Sequence, residues 1–108
     1  MDAIVVLVTA SSEEEATALA KILVNQRLVA CVNILPKVKS IFQWEGKVSE
    51  EEECLMILKT VRSQYKPLEN TIIAQHSYDV PEVIALPIVD GSDSYLSWVH
   101  NMTQKPNI

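Results

Sequence analysis

Few side chains in this 108-residue sequence are suited to bind a metal ion. Cys31, Cys54 and Met56 offer the sulfur ligands that Cu(I) prefers, and His76 and His100 offer imidazole, which suits Cu(II). Cysteine and methionine in apolar strands are more often packing residues than ligands. His76 follows a predicted helix, where either a structural cap or a metal ligand would fit. His100, near the C-terminus, is expected to be a solvated surface residue.

The sequence contains no recognisable catalytic arrangement. No serine stands in a nucleophile-elbow pattern, and no local motif joins either histidine to a catalytic serine or cysteine. Two glycines are too few for a glycine-rich phosphate loop. Four consecutive acids, Glu50–Glu53, lie in a predicted strand, where alternate side chains point to opposite faces and do not converge on one cation. We therefore predict a non-enzymatic protein.

Composition indicates a single cytoplasmic domain spanning residues 1–108. With 48% hydrophobic residues the chain has ample material for one core. The N-terminus lacks the pattern of a signal peptide or a membrane span, and two cysteines do not make a disulfide framework. The formal net charge of −5 disfavours nucleic acid and anionic membrane surfaces as partners.

The apolar periodicity predicts four strands and three helices. The predicted strands are Ala3–Thr9, Leu28–Leu35 ending at Pro36 with an alternating continuation Lys37–Trp44, Cys54–Thr60 and Val83–Val89. The predicted helices start at the capping residues Ser12, Ser63 and either Ser92 or Asp93, and the first two end near Arg27 and by His76. The remaining segment, Thr103–Ile108, is predicted to be a loose tail.

One segment has two possible readings from local signals alone. Ser49 followed by Glu52 could be a capping box that opens a helix, whereas Cys54–Thr60 fits a buried strand at least as well. The Glu45–Gly46 turn directly before it favours a returning strand, because a hairpin turn pairs the strand before it with one after it. We therefore predict a strand.

The predicted order is β-α-β-β-α-β followed by an added helix. This is the split βαβ, or ferredoxin-like, arrangement of an α+β protein with an antiparallel sheet. In that arrangement the first and third strands are central and the second and fourth are edges. Pro36 and Pro87 both fall in predicted edge strands, where proline is tolerated.

The hairpin formed by the second and third strands is longer than the rest of the sheet. The seventeen residues Leu28–Trp44 would span about 55 Å when extended, against about 23 Å for Ala3–Thr9. A two-stranded ribbon that extends beyond its sheet is marginally stable and leaves its edges open to another chain. We therefore predict that a neighbouring subunit covers Phe42 and Trp44. The alternative is that the tip folds back over its own core.

Five segments in this order resemble one known family. They are Val29–Asn33 (VACVN), Trp44–Lys47 (WEGK), Leu58–Thr60 (LKT), His76–Glu82 (HSYDVPE) and Tyr95–Trp98 (YLSW). With these segments in order and suitably spaced, nearly the whole chain resembles the CutA family of divalent-cation tolerance proteins. The resemblance implies a ferredoxin-like fold and a homotrimer in which long hairpins pair between subunits.

The resemblance also implies a cytoplasmic role in tolerance to copper and other divalent metals. His76 and Cys31 lie in matched segments and are the candidate metal residues. The family's copper-binding members have histidine, cysteine and proline where this chain has Gln75, Val8 and Ser77. Copper or another divalent ion is therefore the expected cofactor, with an altered set of ligands.

Three further residues in matched segments are candidates for a cleft between subunits, namely Lys59, Tyr78 and Trp98. Tyrosine and tryptophan are common at interfaces because they combine apolar area with a polar handle. The competing function is that of a PII-like regulatory trimer, which would bind a small metabolite in these clefts and signal to another protein.

Overall fold

The computed structural model describes residues 2–104, and these residues form one four-stranded antiparallel sheet and three α-helices. The elements are β1 Ala3–Ala10, α1 Glu13–Asn25, β2 Cys31–Trp44, β3 Lys47–Val61, α2 Tyr65–Gln75, β4 Val83–Pro87 and α3 Asp93–Met102. The strand order is β2-β3-β1-β4. The predicted α+β, ferredoxin-like arrangement is confirmed, with β1 and β3 central, β2 and β4 at the edges and a helix after the last strand.

The core lies between one face of the sheet and helices α1 and α2. Alternate residues of β1 and β3 point to this face, so the even-numbered side chains of β1 and of the inner half of β3, from Cys54 to Thr60, are buried. They pack against apolar residues of the two helices in one cluster, which includes Val6, Val8, Met56, Leu58, Leu19, Leu23, Leu68 and Ile72. Cys54 and Met56 are thus core residues, as their apolar strand setting predicts.

The opposite face of the sheet, which we call the open face, is also largely apolar. The strand register places on it Val5, Leu7, Cys31, Leu35, Leu55, Ile57, Ile84 and Leu86, together with the polar residues Thr9, Asn33 and Lys59. Ile84 and Leu86 are about half exposed, at 49% and 47%. Helix α3 touches this face at Cys31, through Tyr95. An apolar sheet face of this extent is typical of a surface that another chain covers.

A β-bulge in β2 determines which side chains of the hairpin continue the open face. Leu35 pairs with Leu55 but Val38 pairs with Glu53, so β2 contains one residue more than β3 at this point. Lys37 takes the left-handed conformation there, with φ 63°. Strand β2 therefore continues through Pro36, although the apolar run was predicted to end there. A bulge on an edge strand accommodates the missing N–H of the proline.

The hairpin extends beyond the sheet as a two-stranded ribbon. The last residue of β1, Ala10, pairs with Cys54, so the segments Val38–Trp44 and Lys47–Glu53 pair only with each other. We call these two segments the distal ribbon, and each would span about 23 Å. The radius of gyration is 14.7 Å, whereas a compact chain of this length would have about 13 Å.

The tip of the distal ribbon does not fold back over its own core. Trp44 is 64% exposed and Phe42 is 38% exposed, and the register places both on the side that continues the open face. The alternative prediction of a self-covered tip is therefore wrong for the single chain. The chain by itself therefore leaves Trp44 largely exposed and Phe42 partly exposed.

Three predicted boundaries of the elements are wrong for local reasons. Strand β2 begins at Cys31 rather than Leu28, because the Leu28 N–H closes the end of α1 at the Leu23 carbonyl. Strand β4 ends at Pro87 rather than Val89, because β1 begins at Ala3, whose carbonyl accepts a last 3.2 Å hydrogen bond from the Ile88 N–H. Ser63 lies in a short 3-10 turn before α2 and does not cap that helix.

The prediction of a loose tail is wrong for Thr103. Thr103 is fully buried, and its hydroxyl donates to the carbonyl of Val99 or His100, at 3.0 and 2.9 Å. The Thr103 carbonyl accepts a 2.7 Å hydrogen bond from the Gln64 side-chain amide. The last four residues, 105–108, lie outside the described part of the chain.

The two neighbouring isoleucines of α2 provide a test of the core. Ile72 is completely buried and Ile73 is 51% exposed. Ile72→Ala should lower the free energy of unfolding by about 2–5 kcal/mol, because it removes buried methyl groups and leaves a cavity. Urea unfolding at fixed protein concentration measures this loss. Ile73→Ala is the matched control, and equal losses for the two variants would contradict the assigned core.

Candidate functional site

The loop of residues 76–82 that follows α2 holds a polar cluster centred on His76. The His76 side chain is fully buried, and its Nε2 lies 2.7 Å from the Thr9 carbonyl oxygen at the end of β1. Its Nδ1 accepts a 3.0 Å hydrogen bond from the Tyr78 backbone N–H. Both ring nitrogens are therefore occupied by backbone groups.

Glu15 joins this loop to the start of helix α1. The helix opens as predicted, with the Ser12 hydroxyl accepting from the Glu15 N–H at 3.1 Å. The Glu15 carboxylate accepts from the N–H and hydroxyl of Ser11, at 3.0 and 2.8 Å, and from the Ser77 N–H at 2.8 Å. Burial by itself would raise the pKa of Glu15, but these hydrogen bonds outweigh it and lower the pKa to about 2.

The same loop is tied to the base of the distal ribbon. The Tyr78 hydroxyl donates a 2.7 Å hydrogen bond to the Glu53 carboxylate, and its ring packs against the His76 ring with centroids 4.8 Å apart. Burial, together with the negative charge of Glu53, raises the pKa of Tyr78. Tyr78 is therefore a hydrogen-bond donor at neutral pH and holds one Glu53 oxygen.

A second polar cluster lies on the open face, at the start of β2. The Cys31 sulfur is 3.3 Å from the Tyr95 hydroxyl, and the Tyr95 ring packs against Trp98 with centroids 5.6 Å apart. The contact with Cys31, together with burial, raises the pKa of Tyr95 to about 12. Beside this pair, the Lys59 ammonium donates to the Asn33 side-chain oxygen.

The structure separates the predicted site residues into these two clusters. His76 is held at Thr9, whose partner on β3 is Leu55, while Cys31 pairs with Lys59. Four residues along β3 separate the two clusters, which is roughly 13 Å. Lys59 and Trp98 lie with the Cys31 cluster, whereas Tyr78 lies with His76. Within one chain, His76 and Cys31 do not approach each other, and the three cleft residues do not form one pocket.

The side chains of a single chain do not fit a bound metal ion. Within residues 2–104, no three side chains of the His, Cys, Asp and Glu types are grouped so that they could hold one. The nearest carboxylate to the His76 ring is that of Glu15, 3.9 Å from Nδ1, and this oxygen already accepts from Ser77. Cys54 is buried in the core.

Sequence reasoning did not identify the partners of the two clusters. Glu15 lies three residues after the predicted cap Ser12, and nothing local connects it to Ser77, 62 positions away. The Tyr78–Glu53 bond and the Cys31–Tyr95 contact likewise join segments that only the folded chain brings together. The one available signal was that Tyr78 and Tyr95 both lie in segments of the family resemblance.

Comparison with known proteins agrees with this fold. A family profile described as CutA1 divalent ion tolerance protein matches residues 4–102. "Protein CutA, chloroplastic" of Arabidopsis thaliana is 50% identical over 101 residues, which cover 94% of this chain and 56% of that protein. "Divalent-cation tolerance protein CutA" of Thermus thermophilus is 46% identical over 99 residues, which cover 92% of this chain and 96% of that protein.

Solved structures of related proteins superpose on the whole domain. The divalent cation tolerance protein (Cut A1) from Thermus thermophilus matches with a TM-score of 0.92 and 45% identity, over 94% of this chain and 99% of that one. CutA1 from Oryza sativa matches with a TM-score of 0.94 and 44% identity, over 98% and 97%.

Fold and site together define the class as a ferredoxin-like domain with a hairpin longer than its sheet. The profile match and the relatives then identify the family: the chain belongs to the CutA1 divalent ion tolerance family. The predicted resemblance is thus confirmed. In the described part of the chain, none of the helices has both the length and the apolar character needed to span a membrane.

The acid sensitivity of the fold should depend on Glu15. Its pKa of about 2 in the folded protein is below the ordinary value of 4.5. The carboxylate therefore stabilises the fold fully above pH 4.5, and this contribution is lost as the pH falls towards 2. Glu15→Gln should lower the free energy of unfolding at neutral pH by about 1–2 kcal/mol, and the difference from wild type should shrink below pH 4.5.

Chemical denaturation between pH 2 and pH 7 measures this difference. The control is Glu14→Gln, which removes one negative charge from an exposed position in the same helical turn. A gap between wild type and Glu15→Gln that stays constant over this pH range would contradict the role assigned to the Glu15 carboxylate.

Proposed function

We propose that this protein is a non-enzymatic, cytoplasmic divalent-cation tolerance protein that acts as a homotrimer. The observation that carries the proposal is the distal ribbon, which extends past β1 and leaves Trp44 64% exposed. Two-stranded ribbons are marginally stable alone, and exposed apolar aromatics favour burial against a partner. That the assembly has three subunits is what the family resemblance implies.

The open face supports the same proposal. Phe42 and Trp44 lie on the same side of the sheet as the half-exposed Ile84 and Leu86, so exposed apolar side chains occur on this side both at β4 and at the ribbon tip. The polar residues Ser40, Glu51 and Glu53 lie between them on this side. Burying such surface between copies contributes roughly 25 cal/mol per Å². An assembly of identical chains around a symmetry axis would cover both the ribbon and the open face.

The assembly would also create the predicted cleft. Lys59 and Trp98 of one subunit lie on the open face, whereas Tyr78 lies at the base of the ribbon. These groups are apart in one chain, so a shared cleft requires Tyr78 from a neighbouring copy. We propose that the inter-subunit clefts combine the two clusters in this way.

Truncating Trp44 or Phe42, the two aromatic residues of the distal ribbon, tests the proposed assembly. Wild type should sediment as a trimer at low micromolar concentration, and Trp44→Ala should raise the dissociation constant about 30-fold or more, because truncation of a buried interface tryptophan costs about 2 kcal/mol or more. Analytical ultracentrifugation measures both. Phe42→Ala should act in the same direction.

The control is Ile73→Ala, which removes an exposed apolar side chain from α2 on the other side of the sheet. It should leave the sedimentation behaviour unchanged. A monomeric wild type, or a Trp44→Ala variant that remains as tightly trimeric as wild type, would contradict the proposed assembly.

We further propose that the trimer binds a divalent ion such as copper directly. The name of the Thermus relative, divalent-cation tolerance protein, supports a link to such ions. His76 and Cys31 of one chain do not converge on an ion, so the ligands have to come from separate subunits or from other groups. Cys31 is the soft donor to test, because its side chain is only partly buried and lies on the open face.

Titration calorimetry with Cu(II), and with Cu(I) under reducing conditions, tests this second part. We expect stoichiometric binding that weakens at least about tenfold in Cys31→Ser, in the range seen when a metal site loses a supporting group. Cys54→Ser is the control, since Cys54 is buried in the core. Copper binding no tighter than that of exposed carboxylates would contradict the proposed metal site. It would favour the PII-like function, in which the clefts hold a small metabolite.

A further inference from the structure

We propose that His76 is a positioning residue, held in one neutral tautomer, which fastens the loop of residues 76–82 to the sheet and does not bind metal in the folded protein. This differs from the role that the family resemblance implies for it. The proposal rests on the two backbone groups that face the ring, and it holds whether or not the protein binds a divalent ion.

The hydrogen-bond partners of the ring specify the tautomer. Nε2 faces the Thr9 carbonyl oxygen, which can only accept, so Nε2 carries the proton. Nδ1 faces the Tyr78 N–H, which can only donate, so Nδ1 presents its lone pair. Because neither backbone group can exchange its role, the arrangement leaves one tautomer with both hydrogen bonds.

Metal binding at either nitrogen would break this arrangement. An ion at Nδ1 would displace the Tyr78 N–H, and an ion at Nε2 would remove the proton that the Thr9 carbonyl accepts. Either change leaves a backbone group without its partner beside a fully buried side chain. The Glu15 oxygen 3.9 Å from Nδ1 is itself held by Ser77, so it is not free to complete a site.

The positioning role follows from what the loop holds next. His76 orients the Tyr78 backbone and packs against the Tyr78 ring, and the Tyr78 hydroxyl holds the Glu53 carboxylate. Glu53 is the residue at which the distal ribbon leaves the sheet. His76 therefore connects the end of β1 to the base of the ribbon and helps to set the direction in which the ribbon projects.

Nitrogen-15 NMR of the imidazole rings tests the tautomer directly on the wild-type protein without metal. The chain has only two histidines, and the exposed His100 serves as an internal reference. We expect the His76 Nε2 to be protonated and its Nδ1 to be unprotonated. The His76 nitrogen signals should not change when Zn²⁺ is added to saturation. A protonated Nδ1, or a His76 signal that shifts with Zn²⁺ in the folded protein, would overturn the proposal.

Two substitutions at the same position separate positioning from ligation. His76→Gln retains one donor and one acceptor but loses the imidazole, whereas His76→Ala loses both hydrogen bonds. We expect His76→Gln to keep the Tyr78 amide and ring resonances close to wild type and to restore much of the melting temperature that His76→Ala loses. Its Zn²⁺ dissociation constant should stay within about twofold of wild type, since removing a true ligand costs tenfold or more.

His100→Ala is the matched control for losing a histidine from the protein. A folded His76→Gln variant whose Zn²⁺ affinity falls at least about tenfold would overturn the proposal. So would a His76→Gln variant that is as unstable as His76→Ala. If the wild-type protein binds no divalent ion, the proposed function fails, but the tautomer measurement and the comparison of the two variants still decide this inference.

Discussion

The structure depends on one mismatch of lengths between neighbouring strands. β1 has 8 residues, while its hairpin neighbours β2 and β3 have 14 and 15. Once β1 ends opposite Cys54, the hairpin has no further strand of its own chain to pair with. The outer half of the hairpin must therefore be a marginal ribbon or be covered by other copies of the chain. The bulge at Lys37 keeps its aromatic side in line with the open face, so both surfaces can be covered at once.

The polar cluster around the loop of residues 76–82 stands at the point where this mismatch begins. Thr9 is one residue from the end of β1, and Glu53 is the first residue of β3 beyond it. The hydrogen bonds of His76 and Tyr78 bridge these two points, and Glu15 joins them to helix α1. The cluster thus stabilises the junction between the sheet and the ribbon, which explains a buried histidine without requiring a ligand for it.

Much of the fold was predictable because its signals are local. The apolar runs, the Ser12 cap and the Glu45–Gly46 turn specify the elements, and Pro36 and Pro87 agree with edge strands. The bulge at Lys37 was not predicted, because Pro36 was taken as the end of the apolar run that precedes it. Thr103 was misjudged for a related reason: its partners are carbonyls of its own helix and the distant Gln64, and a polar residue near a terminus gives no sign of them.

The candidate site was less predictable than the fold. Its residues were identified by type and by family resemblance, yet the type of a side chain does not reveal which backbone groups surround it. His76 was open to both a structural and a metal-binding reading, and two backbone contacts, to Thr9 and Tyr78, distinguish them. Cys31 was placed on the second strand, but its contact with Tyr95 depends on where α3 packs.

Amide hydrogen exchange in the distal ribbon tests the central claim most directly. If other copies of the chain cover the ribbon, the amides between residues 41 and 48 should exchange as slowly as those of β1, and dilution to a dissociating concentration should speed up their exchange. Fast exchange of these amides at every protein concentration, next to a slowly exchanging β1, would show a bare ribbon and contradict the account.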